Sequence, residues 1–109
     1  MKQYTIYYSD EALDDIKTIY QYIAVERQEP TGAVCVVNRI RAYINDLYFF
    51  PSKYPQVQWS PWNELGIRNM LVKKYIVFYQ IDETNQKVNI LRIFSCKQDI
   101  PNIIKQQYQ

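Results

Sequence analysis

The sequence predicts an α+β domain of order β-α-α-β-β-β. A helical hairpin packs on one antiparallel sheet, and a short C-terminal helix or tail follows. Three observations predict it. Gln3–Tyr8 alternates, with Tyr4, Ile6 and Tyr8 set against Gln3, Thr5 and Tyr7. Between residues 10 and 50, apolar positions recur at threes and fours, interrupted once at Glu29-Pro30-Thr31-Gly32. From Gly66 to Ser95 the chain is dense in β-branched and aromatic residues and is cut at Lys73-Lys74 and at Asp82–Gln86.

Each element has its own signals. After the first strand, Ser9 offers an N-cap, with Asp10 and Glu11 in the first turn, where the helix dipole favours negative charge. The first helix runs to about Arg27. Its stripe is Ala12, Leu13, Ile16, Ile19, Tyr20 and Ile23, with Asp14, Asp15, Lys17 and Thr18 off it. The second helix carries Ala33, Val36, Val37, Ile40, Ile44 and Leu47 on one face and stops near Phe50, before Pro51. The two helices should occupy roughly 10–28 and 31–49. Counting the out-and-back hairpin as two turns leaves all four strands antiparallel, with the first at an edge. Phe50–Leu65, with three prolines, Trp59 and Trp62, reads as a long irregular connection. It is either functional or pinned to the fold by its aromatics.

The strands are apolar on both faces. Ile90 and Phe94 are expected to point one way, Leu91 and Ile93 the other. One hairpin covers one face only. The second face should meet Ile100, Ile103 and Ile104 of the C-terminal segment, another copy of the chain, or a partner.

Composition narrows the chemistry. At 109 residues and 48% hydrophobic, with two glycines, the chain is one ordered domain. A net charge of +2 permits a nucleic-acid partner without arguing for one. The absence of histidine removes the commonest general base and zinc ligand. Cys35 and Cys96 match no metal or redox spacing, so no metal or cofactor is expected. MKQYTIYYS lacks a signal-peptide apolar run and no 18-residue apolar segment occurs, so a cytoplasmic protein without a membrane partner is expected.

YTIYYSDEALDDIKTIYQYI, LYFFPSKYP, and GIRNMLVKKYIVFYQID followed by VNILRIFSCKQD together resemble the RelE/ParE superfamily of toxins from bacterial type II toxin–antitoxin modules, also called plasmid stabilisation proteins. The resemblance runs from Tyr4 to Asp99 and makes residues 1–109 a single toxin domain. It implies the β-α-α-β-β-β fold, a cognate antitoxin whose tail covers apolar surface, and growth inhibition by one of two routes. RelE-like members are ribosome-dependent mRNA endonucleases; ParE-like members bind DNA gyrase. The nuclease pattern Tyr-Arg-x-x-Tyr stands here as Tyr75-Ile76-Val77-Phe78-Tyr79, with isoleucine in place of a phosphate-binding arginine. The pattern His-x-Arg-Arg-Asp stands as Ser95-Cys96-Lys97-Gln98-Asp99.

The candidate target- or phosphate-binding residues are Arg68, Lys73, Lys74, Arg92 and Lys97, and a nuclease would draw on Arg68, Lys97 and Tyr75. Each has a plainer reading. Arg92 can pair with a carboxylate at the sheet, and Tyr75 and Tyr79 can be half-buried core. Cys96 lacks a base to activate it. The missing arginine and histidine favour a toxin that acts by binding, with an atypical mRNA endonuclease as the alternative and an inactive relic as a third possibility.

Overall fold

Ser9 fixes where the first helix starts. Its hydroxyl accepts from the Ala12 N–H at 3.0 Å and donates to the Leu91 carbonyl at 2.8 Å, so one side chain caps the helix and ties it to the last strand. The computed structural model describes residues 3–108. In order these form β1 (Thr5–Tyr8), α1 (Asp10–Gln21), α2 (Pro30–Asn45), β2 (Arg68–Val72), β3 (Tyr75–Asp82), β4 (Lys87–Ser95) and α3 (Ile100–Tyr108). α1 continues into a π-helical turn over Tyr22–Glu26, closed by the Arg27 N–H on the Tyr22 carbonyl at 3.1 Å. Pro30 sits in the first turn of α2, where its missing N–H costs nothing.

The sheet order is β1-β4-β3-β2. β2–β3 and β3–β4 are antiparallel, as expected, and β1 lies at an edge. β1, however, pairs parallel with β4, Thr5 opposite Lys87 and Tyr8 opposite Ile90, so the sheet is mixed and the all-antiparallel expectation is corrected. The reason is the connection after α2. Since β2 is antiparallel to β3 and β3 to β4, β2 runs in the same heading as β1, so the stretch from Phe50 to Ile67 adds one reversal beyond those of the out-and-back hairpin. A count of reversals that omits this connection comes out one short.

The α1–α2 hairpin packs on one sheet face. Ile16, Ile23, Ile40 and Ile44 are all buried there, with Met70, Val77, Tyr79 and Ile90 from the strands. Leu13 and Tyr20, expected on the α1 stripe, are exposed at 44% and 39%, so the buried stripe narrows to Ala12, Ile16, Ile19 and Ile23. The opposite face has its own core. Phe78 and Phe94 meet Val57, Trp62 and Ile67 from the connection and Ile100 and Ile104 from α3. Ile103 packs at its rim. The Trp59 and Trp62 rings stack at 5.7 Å, and Trp62 lies 5.0 Å from Phe78. The chain thus covers its own second face, and the tryptophan connection shares that work with α3.

One irregularity changes which way β4 side chains point. Phe78 pairs with Arg92 but Tyr79 pairs with Ile90, so β4 carries an extra residue and bulges there. Beyond the bulge the alternation changes phase. Ile90 and Ile93 share the helix-covered core, while Leu91 and Phe94 join the tryptophan side. The expectation that Ile90 and Phe94 share a face is corrected for this reason.

Candidate functional site

A cleft of about 440 Å³ opens where α1 meets the C-terminal end of β4. Four of the sequence candidates line it: Lys74 from the β2–β3 turn, Tyr75 at the start of β3, Arg92 on β4, and Lys97 just past it. Arg27, from the end of the π turn, and Tyr22 complete the wall from the helical side. Arg27, Lys74 and Lys97 are exposed and have no carboxylate within salt-bridge distance among the described residues.

Arg92 is held differently. Its Nε donates to Asp15 Oδ2 at 2.8 Å and its second guanidinium nitrogen to Asp15 Oδ1 at 3.0 Å, a two-point grip from α1 to β4. Asp15 Oδ2 also accepts the Ile93 N–H at 2.8 Å. The guanidinium carbon lies 4.5 Å over the Phe94 ring. The bulge aims Arg92 at α1, and the cleft's one carboxylate is engaged there.

Tyr75 is half-buried, and burial pushes its phenol above the ordinary tyrosine value; Arg27 pulls it partway back and Tyr22 adds to the rise. The phenol is therefore neutral at physiological pH, able to donate a hydrogen bond and unsuited to taking a proton.

Two candidates lie elsewhere. Arg68 is four residues before Val72 on β2, about 13 Å along the strand at about 3.3 Å per residue. Its guanidinium donates to the Tyr54 carbonyl at 2.6 Å and the Ser52 carbonyl at 3.1 Å, binding the connection to the sheet. Lys73 turns into a second, smaller cleft beyond the hairpin tip. Tyr79 is fully buried and donates to the Pro51 carbonyl; burial raises its phenol strongly. Ile76, at the place of the missing arginine, packs against the tryptophan-side core, away from the cleft.

Sequence reasoning missed Arg27, Tyr22 and Asp15. Arg27 and Tyr22 reach the cleft because a π turn ends α1, and the sequence carries no signal for that turn. Asp15 did leave a trace: it lies three residues from Ala12 and four from Ile19, a carboxylate at the border of the buried stripe.

The chain thus combines a four-stranded mixed sheet, a helical hairpin on one face and a cationic cleft at one end. The chain belongs to the ParE toxin family of type II toxin–antitoxin systems, whose family model matches residues 6–100. It is on that ground a ParE/RelE-like toxin component. No curated protein sequence matches the chain. Among solved structures it is similar to a chain of the chromosomal ParDE system of P. aeruginosa, with a TM-score of 0.68 at 17% identity over 85% of this chain and 96% of that one. It is similar also to a chain of the RelBE2 toxin–antitoxin complex of Mycobacterium tuberculosis, with a TM-score of 0.62 at 20% identity over 87% and 93%. A chain of the archaeal RelE–RelB complex of Pyrococcus horikoshii matches with a TM-score of 0.60 at 11% identity over 88% and 98%. At these identities the structures speak for the fold.

Proposed function

We propose that this toxin acts by binding an essential macromolecule, DNA gyrase being the expected target for its family, and that a cognate antitoxin neutralises it. One observation carries the binding reading. RNA cleavage by a 2′-hydroxyl needs a group that takes the hydroxyl proton. The cleft's carboxylate, Asp15, is engaged by Arg92 and the Ile93 N–H, and its half-buried phenol, Tyr75, is held neutral. What remains facing outward is positive charge from Arg27, Lys74 and Lys97, which serves recognition of an anionic or acidic surface. The antitoxin is supported by solved relatives that are themselves toxin–antitoxin systems.

A second reading, an mRNA endonuclease with an atypical site, draws on the convergence of Lys74, Tyr75 and Lys97 in one cleft. Inducing the toxin without antitoxin separates the two. Growth arrest with intact transcripts, together with loss of supercoiling by purified gyrase, is expected. Codon-positioned transcript ends at the ribosomal A site, abolished by Lys97→Ala, would replace the binding reading with the nuclease one.

A further inference from the structure

The second cleft lies at the opposite side of Tyr75, between the tip of the helical hairpin and the β2–β3 turn, and holds about 290 Å³. Its floor is aliphatic: Ile23 from the π turn, Val36 and Ile40 from α2, and Val72 from β2. Around it stand Arg27, Arg39, Lys73 and Lys74, against the single carboxylate of Glu29. All four cations are exposed, and none has a salt-bridge partner among the described residues.

The backbone around this cleft is built unusually. α1 leaves α-helical geometry at the cleft wall, with the Glu29 N–H reaching back to the Ile23 carbonyl at 3.0 Å. π turns of this kind gather at functional sites. Gln28 and Lys73, one on each side of the cleft, are non-glycine residues in the left-handed region, at φ 55° and 56°. Such conformations are disfavoured for non-glycine residues and persist where the surroundings impose them. Glu29 occupies the N-cap of α2 without its side chain accepting from the helix, and its carboxylate lies over the first turn beside Gly32, where it faces the positive end of the α2 dipole.

We propose that this tip cleft is a docking site for an acidic peptide segment that inserts an aliphatic side chain between its own carboxylates. The volume is at the low end of the roughly 300–1,000 Å³ of small-molecule pockets, which suits an anchor side chain of an extended chain. The floor takes the aliphatic anchor and the rim takes the carboxylates. A nucleic acid is the weaker occupant, because bases need aromatic faces to stack on and Tyr75 is the cleft's one aromatic lining residue. The site is distinct from the helix–sheet cleft in the residues that test it: Arg39 and Lys73 line the tip cleft alone, Lys97 the other alone.

The test is fluorescence anisotropy with a short labelled peptide carrying one central leucine between aspartates and glutamates. Its controls are the same peptide with glycine for leucine and a labelled oligouridine RNA. The expected results are saturable binding to the intact toxin, at least tenfold loss with Arg39→Glu/Lys73→Glu, a similar loss with the glycine peptide, and less than twofold change with Lys97→Glu. Equal binding of the leucine and glycine peptides, or loss with Lys97→Glu and none with Arg39→Glu/Lys73→Glu, overturns the proposal. Oligouridine binding that is tighter than the peptide's and is lost in the Arg39→Glu/Lys73→Glu variant does so too, by making the site one for nucleic acid. Should the double variant misfold, amide shift mapping on the unaltered toxin decides: peptide-induced shifts centred on Gly32, Val36 and Val72 support the site, and shifts centred on Ser95 and Lys97 refute it. None of these readouts depends on which target the toxin arrests.

Discussion

Asp15 is the residue through which α1 grips β4. It closes two bonds to the Arg92 guanidinium and one to the Ile93 N–H, in a setting where the two side chains are only 14% and 12% exposed. Hydrogen bonds to charged groups are worth about 1.5–3 kcal/mol, and removing one partner leaves the other desolvated. Asp15→Ala should therefore lower stability by about 2–3 kcal/mol in urea unfolding, and adding Arg92→Ala should recover part of the loss, since the orphaned cation is then gone. Tyr79 gives a pH-dependent prediction. Burial raises its phenol above the ordinary value, so the folded chain holds that proton more tightly than the unfolded chain. Its contribution is complete below about pH 10 and declines as pH rises beyond the unfolded tyrosine value. Urea midpoints measured at pH 8 and at pH 10.5 should fall more steeply for the native chain than for Tyr79→Phe. At this scale the sequence displayed the participants but not their pairings. Arg92 read as an ion-pair member in preference to a phosphate ligand, but its carboxylate could not be named, because the partner is 77 residues away and only the fold brings them together.

The helices were legible because their signal is local. Ser9 caps, the stripe repeats at threes and fours, and Pro30 marks the second start, so the expected spans agree closely with Asp10–Glu26, counting the π turn, and Pro30–Tyr48, counting the last 3₁₀ turn. Ile40 is 1% exposed in the hairpin seam, and Ile40→Ala should cost about 2–5 kcal/mol by thermal or denaturant unfolding. The strands were legible as strands but not in their pairing. The β4 bulge falls at Leu91–Arg92, with no glycine or proline in the strand, so nothing local marks the change of phase. The parallel partnership of β1 depends on how residues 50–67 travel, and an irregular segment has no period to read. Trp62, 2% exposed beneath that segment, holds it down; Trp62→Ala should cost about 3–5 kcal/mol and loosen the connection, seen as faster amide exchange at Val57 and Asn69, which bond to Ile67 and Pro55.

At the scale of the whole molecule, the sheet separates two cores, one closed by the hairpin and one by the connection with α3. Removing the residues after Asp99 strips Ile100 and Ile104 from the second core, and the shortened chain should bind hydrophobic dye and aggregate where the full chain does not. A truncated chain that stays monomeric and equally stable would show that the tryptophan connection suffices alone. The candidate site was half-legible for the same reason as the fold: the cations could be named from the sequence, but their grouping into two clefts follows from the turn after β2 and the π turn after α1. The parallel seam of β1 on β4 has one more consequence, and it concerns time. Thr5 finds Lys87 across 82 residues of chain. At about 5–20 residues per second of synthesis, the first strand waits roughly 4–16 s after its own emergence for its only neighbour to be made. The sheet therefore cannot close at β1 until β4 has been synthesised, and for those seconds the first strand has no sheet neighbour.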